Sequence, residues 1–299
     1  MTPPIQIDIC ICTFRRPHLT TTLQSLAKIQ VPDGVRIRIL VADNDTAPSA
    51  APLIEPMHGK PFPIQYIHAP DRNISVARNA CLDHSTGDLV AWIDDDETVD
   101  AAWLVQLYTN LIAHKYTAVF GPAIAVYPTD TPAHIARGDF HSNRPVTRAG
   151  EVRTGHTCNA LVDMRAPTTR ALRFDLSKGR TGGEDTDYFH RLWQTGVTFG
   201  ICDTAQVFED VAPARLRPGW LIRRSFNSGH IFGELARRGA ATPSVLRLML
   251  TALAKAGYCF ACACLTVAFA TKRLWWARRG VMHLGVMAGL FRITPKAQY

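Results

Sequence analysis

Residues 89–97 read LVAWIDDDE: five apolar residues, Leu89 to Ile93, run directly into four consecutive acids, Asp94, Asp95, Asp96 and Glu97. A short apolar run bounded by polar residues reads as a strand buried on both faces. Around it, strand and helix signals alternate. Ile5 to Cys12, Val35 to Ala42 and Pro63 to His68 read as further strands. Pro17 to Ile29 carries Leu19, Leu23 and Leu26 at helical spacing, and Ile74 to Ser85 carries Val76, Ala80 and Leu82. Ala101 to Ala113 is again helical. This rhythm predicts an α/β fold with a mostly parallel sheet covered by helices on both faces. Its ligand site is expected at the carboxyl ends of the strands.

After Tyr127 the pattern weakens. Residues 128–150, rich in Pro, Arg, Thr and Gly, read as a loop or insertion, and Val152 to Met164 as extended. Gly182 to Trp193 opens with glycines and acids and then turns helical. Val197 to Phe208 reads as one strand, and Pro218 to Arg238 as a helix with a basic face.

The chain has 299 residues, 47% of them apolar and 19% charged, with a net charge of +8. That suffices for a sizeable core and excludes disordered, collagen-like and coiled-coil classes. The charge is unevenly spread. From Pro213 onward there are 14 Lys or Arg and one acid, Glu234, a net +13; the preceding residues carry −5. An anionic surface is expected to meet the tail alone. The eight cysteines lack zinc-site spacing and read as small buried hydrophobes in a reducing compartment. MTPPIQIDICICTF lacks the n- and h-regions of a signal peptide, so none is expected.

Three adjacent aspartates repel one another, and a divalent cation offsets that repulsion. Asp94 and Asp96, two apart, can point the same way from extended backbone. Hard oxygen ligands suit magnesium or manganese, which also bind substrate phosphates. Glu97 and Asp100 have a plainer reading as acids near the start of the Ala101 helix. GGEDTD at 182–187 reads either as a helix cap through Asp185 or Thr186 or as a carboxylate base kept ionised at a helix N-terminus. Thr13, Phe14 and Arg15, then Asp43, then Arg72, Asn73, Arg78 and Asn79 follow the other strands and would ring one sheet mouth. No GxGxxG or GxxxxGK[ST] occurs, which disfavours Rossmann dinucleotide enzymes and P-loop NTPases.

CTFRRP (12–17), VADND (41–45), NISVARNACL (73–82), WIDDDE (92–97) and GGEDTDY (182–188) occur in the order seen in family 2 glycosyltransferases, which the first 210 or so residues resemble. FHSNRPV (140–146), TGHTCN (154–159) and GRTGGEDTDYF (179–189) are most similar to bacterial exopolysaccharide glucosyltransferases of the succinoglycan type. The resemblance implies the GT-A fold, Rossmann-like, and inverting transfer of a sugar from a UDP-sugar donor. Asp96 and Asp94 would form the metal-binding pair, with Mn2+ or Mg2+ as cofactor, and Asp94 and Asp95 would lie against the donor. Asp43 would receive the uracil or ribose; Thr13 and Arg15, with Arg72 and Arg78, would line the nucleotide pocket. Asp185 would be the general base, with Glu184 beside the acceptor. Processive members carry QxxRW; here Trp220-Leu221-Ile222-Arg223-Arg224 lacks it, which implies one sugar per encounter. A nucleotidyltransferase and a non-catalytic, membrane-docked scaffold are the competing readings.

These readings divide the chain into a catalytic domain, 1–212, and a basic, partly apolar helical tail, 213–299. Residues 245–271 are mostly apolar, but the uninterrupted part, Ala256 to Thr271, is about one turn short of the ~20 residues of a spanning helix. Lys272-Arg273-Leu274-Trp275-Trp276-Ala277-Arg278-Arg279 follows, then a second apolar run to Ile293. A single span would put that patch outside, against the positive-inside rule, so an interfacial or re-entrant tail at the cytoplasmic face of the bacterial inner membrane is expected. The exopolysaccharide resemblance implies a polyprenyl-diphosphate-linked oligosaccharide acceptor. Nucleic acid is excluded as a partner: no binding motif is present, and the tail's aromatics sit in apolar runs.

Overall fold

The computed structural model describes residues 3–57, 59–238 and 242–291. The chain divides into two compact units, one of residues 3–125 and 142–209, the other of 126–141 and the described residues from 210 onward. The segment 126–141 thus packs with the C-terminal unit.

The strands of the first unit are β1 (Ile5–Thr13), β2 (Val35–Asp43), β3 (Ile64–His68), β4 (Leu89–Ile93), β5 (Glu97–Val99), β6 (Ala118–Phe120), β7 (Ala123–Val126, at its margin), β8 (Asn159–Asp163), β9 (Phe199–Ile201) and β10 (Val207–Asp210). Seven of them form one sheet in the order β3-β2-β1-β4-β8-β6-β9, and β5-β10-β7 form a small second sheet. In the large sheet pairing is parallel except where β8 runs antiparallel to β4 and β6, and in the small sheet β10 runs antiparallel to β5.

Alternation along each strand sends its residues to opposite faces. Ile7, Ile9 and Ile11 of β1, with Leu89, Ala91 and Ile93 of β4, pack under Leu19, Leu23 and Leu26 of α1 (Leu19–Leu26). That core is completed by Trp103, Leu104, Leu107 and Leu111 of a later helix, Trp103–His114. The other face carries Cys10, Leu40, Val90 and Trp92 against Ala77, Cys81 and Leu82 of the helix Ile74–His84 and against Tyr188, Phe189 and Leu192 of the helix Glu184–Trp193. In chain order these helices are α3 (Ile74–His84), α4 (Trp103–His114) and α7 (Glu184–Trp193); α2 (Ala51–Ile54), α5 (Ala133–Ala136) and α6 (Pro167–Ala171) are single turns. The doubly covered, mostly parallel sheet is the one the sequence predicts.

The differences are local. The expected strand 197–208 is two strands, because β9 joins the large sheet and β10 the small one, and the chain turns between them at Cys202–Ala205. The loop 128–150 contains α5 and a tight hairpin at Arg148–Glu151 turned on positive-φ Ala149 and Gly150. All eight cysteines are free, but Cys264 is exposed and Cys12, Cys158 and Cys262 are only partly buried, so the buried-hydrophobe reading fails for Cys264.

The second unit contains α8 (Pro218–Arg237), α9 (Thr242–Leu265) and α10 (Ala270–Leu290). The KRLWWARR patch and the start of the second apolar run, read as separate segments, are one helix, α10; the end of that run, 292–293, lies outside the described residues. Helices α8 and α10 cross at glycines four apart on each, Gly229 and Gly233 against Gly285 and Gly289. A Cβ at Gly285 would lie 2.1 Å from the Phe226 carbonyl oxygen, and one at Gly229 1.9 Å from that of Met282. Such small-residue pairs let helix backbones touch. Helix α9 is the one helix among the described residues long and apolar enough to cross a membrane. It turns Ala252, Ala256 and Cys259 inward and leaves Leu246, Leu250, Leu253 and Tyr258 exposed.

Candidate active site

The parallel register aligns the strand ends: Thr13 pairs with Asp43, and Asp43 with His68. Beyond β4 the chain closes a tight turn, with Asp94 N–H donating to Glu97 Oε2 at 2.9 Å. Asp94 and Asp96 therefore do not share an extended backbone. They face different cations: Asp96 meets Arg16 Nη1 at 3.0 Å, and Asp94 meets Arg78 Nη2 at 4.0 Å. Asp95 is buried between them, accepting from Thr13 Oγ1 at 2.7 Å, with Arg16 Nε at 3.6 Å. Glu97 is buried beneath the turn and caps no helix, whereas Asp100 does accept the Ala102 N–H near the start of α4.

Burial and the neighbouring Asp96 charge push Asp95 up to about 6, against the pull of Thr13 and Arg16. Asp94 is pushed up to about 7 by burial and by Asp96 and Asp95, with Arg78 opposing. The Asp94 side chain nevertheless keeps 46% of its surface accessible in the cleft, so water screens its burial and the crowding of like charges is the firmer cause. Among the described residues no group of three or more His, Cys, Asp or Glu converges on one metal position. The accessible Asp94 and the more covered Asp96, both hard oxygen donors, are the incomplete set a magnesium- or manganese-like ion takes when substrate phosphates and water fill the rest of its shell. The residues present fit such an ion.

The second half of the site is carried by α7. It starts at Glu184 after Gly182 and Gly183, whose φ values of 89° and 86° are left-handed and suit glycine. Gly183 is the N-cap and brings no side chain to it; of the two residues expected to cap, Asp185 takes a first-turn N–H, that of Thr186, from within the helix. The loop before α7 is fastened to α3. Asn73 Nδ2 donates to the Leu176 carbonyl, Ser75 Oγ to that of Asp175 and Asn79 Nδ2 to that of Phe174. A Cβ on Gly179 would fall 1.7 Å from Asn73 Oδ1, which is why that position is glycine. The NISVARNACL segment thereby sets where the GGEDTDY segment sits.

Arg78, buried in α3, reaches across this junction. It bonds Glu184 Oε1, stands 4.0 Å from Asp94 and lies 5.6 Å from the centroid of the Phe174 ring. Burial opposes its charge, but Glu184, Asp185 and Asp94 outweigh that and raise its pKa. Glu184 is buried and held above its ordinary range by burial despite Arg78; its Oε2 has no hydrogen-bond partner. Asp185 Oδ2 lies 3.0 Å from His156 Nδ1, and Oδ1 accepts the Thr186 N–H at 2.6 Å. Burial works against its charge, yet His156, and after it Arg78, hold the Asp185 carboxyl below the usual range. The helix N-terminus acts in the same direction.

The structure thus sets Thr13 and Arg16 against Asp95 and Asp96, and Arg78 against Asp94 and Glu184; Asp94 and Asp185, next in the chain to Asp95 and Glu184, bring the charge of both sets to Arg78. Three residues stand apart. Arg15, at φ 54°, pairs with Asp45 at 2.8 Å and pulls it down to about 2. Arg72, at φ 48°, is exposed and donates its N–H to the Asn44 carbonyl. Asp43 is fully buried, accepting from Asp45 N–H, Ala50 N–H and Tyr66 Oη, so it shapes the 44–50 loop from beneath. Sequence reasoning did not single out Arg16 or His156. Arg16 lay unremarked beside Arg15, and His156 sat in the TGHTCN phrase with no spacing signal to a partner 29 residues away.

Residues 8–178 match the family described as Glycosyl transferase family 2. The chain belongs to that family. The family 2 glycosyltransferase is also 44% identical, over 99% of its length and 96% of the relative's, to the succinoglycan biosynthesis protein ExoM of Rhizobium meliloti (strain 1021). Among solved structures it is similar to the mannosyltransferase PcManGT of Pyrobaculum calidifontis in complex with GDP-Man and Mn2+. That likeness has TM-score 0.66 at 15% identity and covers 98% of this chain and 89% of the other. S. aureus TarS 1-349 in complex with UDP-GlcNAc follows, with TM-score 0.56 at 14% identity over 96% and 92% of the two chains. At these identities the structural likenesses concern the fold, which is GT-A as the sequence predicts. The protein is a glycosyltransferase, and the nucleotidyltransferase and scaffold readings give way.

Proposed function

We propose that this glycosyltransferase moves a sugar, glucose in β linkage, from a UDP-sugar to a lipid-linked oligosaccharide in succinoglycan-type exopolysaccharide synthesis, inverting the donor and adding one residue per encounter. The observation that carries this reading is the Asp185 carboxylate, kept ionised by His156 at the N-terminus of α7 and joined through Glu184 and Arg78 to the Asp94 cluster. A base must be ionised and within reach of the proton it takes. Asp185 receives the acceptor hydroxyl proton as that oxygen bonds the anomeric carbon and the bond to UDP breaks; one displacement converts an α-linked donor into a β-glycoside. Glu184, next to Asp185 at the head of α7 and held by Arg78, would stand beside the acceptor.

Thr13, Asp94 and Asp95 hold the donor side, with Arg15, Arg72 and Arg78 lining the nucleotide. Asp43 fixes the 44–50 loop against which the uracil or ribose is read. Asp96 and Asp94 would hold Mn2+ or Mg2+, which when bound neutralises charge on the departing diphosphate. The 44% identity to a succinoglycan biosynthesis protein supports the pathway class, and such a pathway's polyprenyl-diphosphate acceptor is anionic and membrane-bound. The exposed apolar stripe of α9 and the exposed Arg247, Lys255, Lys272, Arg273 and Arg279 support peripheral or re-entrant attachment at the cytoplasmic face of the bacterial inner membrane.

The test is a panel of UDP-sugars, with Mn2+ or Mg2+, on lipid-linked acceptors from a membrane extract. Asp185→Asn is expected to lower transfer by about 10²–10⁴-fold while UDP-sugar binding survives. Equal loss of binding and transfer would remove Asp185 from the role of base.

A further inference from the structure

We propose that Arg278 and Arg224, with Arg215, form a site in the second unit for the diphosphate of a prenyl-linked acceptor. This rests on the reading of the acceptor as lipid-linked, and it names the part of the chain that would hold the anionic group. Three stretches of that unit build the site. Phe140 and His141 belong to the segment 126–141, Arg215 to the 213–215 turn before α8, and Arg224 and Arg278 to α8 and α10.

The arginines gather on an aromatic frame. Trp220 stacks on His141 with ring centroids 5.4 Å apart and planes 17° from parallel. The Arg224 and Arg215 guanidinium groups lie 5.3 and 5.7 Å from the Trp220 centroid, and that of Arg278 lies 4.7 Å from the Phe140 centroid. Such contacts hold guanidinium planes in place. His141 Nε2 donates to the Arg215 carbonyl at 3.0 Å, so the neutral ring accepts at Nδ1 from Tyr127 Oη, also at 3.0 Å. Burial, and the charges of Arg224, Arg278 and Arg215 after it, hold His141 below its ordinary value against the pull of that carbonyl. All three cations therefore bear on one place, and the imidazole between them adds no charge.

Arg278 is the group that calls for an anion. Its Nε donates to Ser225 Oγ at 3.1 Å, while its two terminal nitrogens make no hydrogen bond or ion pair among the described residues. Burial and the nearby Arg224 pull it down to about 10, opposed only by Tyr127. A largely buried charge without a counter-ion costs stability, and a cost of that kind is retained where a ligand supplies the missing charge. A planar fork of unbonded N–H groups fits two oxygens of one phosphate, and a second guanidinium beside it suits the next phosphate of a diphosphate. The same helix offers apolar surface for a lipid chain. Phe269 and Trp275 of the α10 end are exposed, Trp275 lies one turn before Arg278, and Arg279 stands 4.7 Å from the Trp275 ring. Cations beside exposed aromatic groups suit a ligand that is anionic at one end and apolar at the other.

The probe is farnesyl diphosphate, titrated by calorimetry into the full chain in detergent, with UDP and inorganic diphosphate titrated in parallel. Arg278→Met and Arg224→Met are each expected to weaken farnesyl diphosphate by about tenfold or more and to leave the UDP Kd within about twofold. Inorganic diphosphate, lacking the chain, is expected to bind about tenfold more weakly than the prenyl ester. The unfolding midpoint of Arg278→Met is expected to match or exceed that of the unaltered protein, because an uncompensated charge is removed. Unchanged affinity for farnesyl diphosphate in both variants would overturn the site. So would lost affinity accompanied in both by a lowered midpoint, which would make the arginines structural. Inorganic diphosphate bound as tightly as the ester would give the site to a soluble anion, and a UDP Kd rising in step would give it to the donor; either overturns the lipid assignment. Absence of transfer by the unaltered protein to any lipid-linked acceptor, with farnesyl diphosphate still bound, would instead overturn the reading of the acceptor on which the proposal rests.

Discussion

Replacing Arg78 by Met removes the only side-chain donor that Glu184 has among the described residues, since Glu184 Oε2 is already without one. Glu184 is 6% exposed and Arg78 7%. Water does not reach the orphaned carboxylate, and breaking a buried pair by deleting one partner costs about 3–5 kcal/mol. A loss of that size lowers the unfolding midpoint by roughly 10 °C for a chain of this length. Asp94, the other acid facing Arg78, adds little, because its side chain stays 46% accessible.

The pH dependence has a definite sign. Burial already holds Glu184 above the ordinary carboxylate range, with Arg78 pulling it back. A carboxyl whose folded pKa is raised binds its proton more tightly folded than unfolded, so its contribution to stability falls as pH rises through the folded pKa. Without Arg78 that pKa climbs further, and the variant loses additional stability between the two folded values. The deficit is therefore smaller at pH 5 than at pH 8. Urea unfolding followed by fluorescence of the buried Trp92 and Trp103 measures it. Replacing Glu184 by Met as well leaves two apolar groups and is expected to recover most of the loss. A deficit below about 1 kcal/mol, an equal deficit at both pH values, or no recovery in the double variant would refute the reasoning.

Two further outcomes follow from other contacts. His156→Asn removes the partner that, against burial, keeps Asp185 ionised below the usual carboxylate range. Because the base acts ionised, the acidic limb of the kcat/KM profile is expected to move to higher pH; a limb that stays in place would show that His156 does not set it. Gly285→Val drives a side chain into the Phe226 carbonyl, 2.1 Å from its Cβ, and is expected to cost about 1–3 kcal/mol or more and to expose α10 to protease. Cleavage at the unaltered rate would mean the α8–α10 crossing gives way freely.

The fold was legible because its signals are local. β4 runs from Leu89 to Ile93 as read, and α3 and α7 begin and end within two residues of their expected bounds. Where reading failed, the deciding partner was distant in sequence. Val197 to Phe208 is apolar enough for one strand, and only pairing of β9 with β6 and of β10 with β5 splits it. The KRLWWARR patch reads as a break in hydropathy, yet Leu274 is buried and Gly280, Gly285 and Gly289 continue a single packed helix. Hydropathy records transfer to an apolar phase and is blind to the close backbone contact that glycine permits.

In the site, composition named the acids and missed what steadies them. Three aspartates on a strand end announce excess negative charge that needs an offset. In the folded chain two of the compensating charges are the protein's own: Arg16, opposite Asp95 and Asp96, and Arg78, between Asp94 and Glu184. Arg78 lies 16 residues from Asp94 and 106 from Glu184, and His156 lies 29 from Asp185, separations at which no periodicity operates. Their positions are fixed by α3 clasping the loop before α7 and by the hairpin excursion after β7. The identity of each acid was therefore readable, whereas its protonation state, which decides whether it can serve as ligand or base, is a property of tertiary structure.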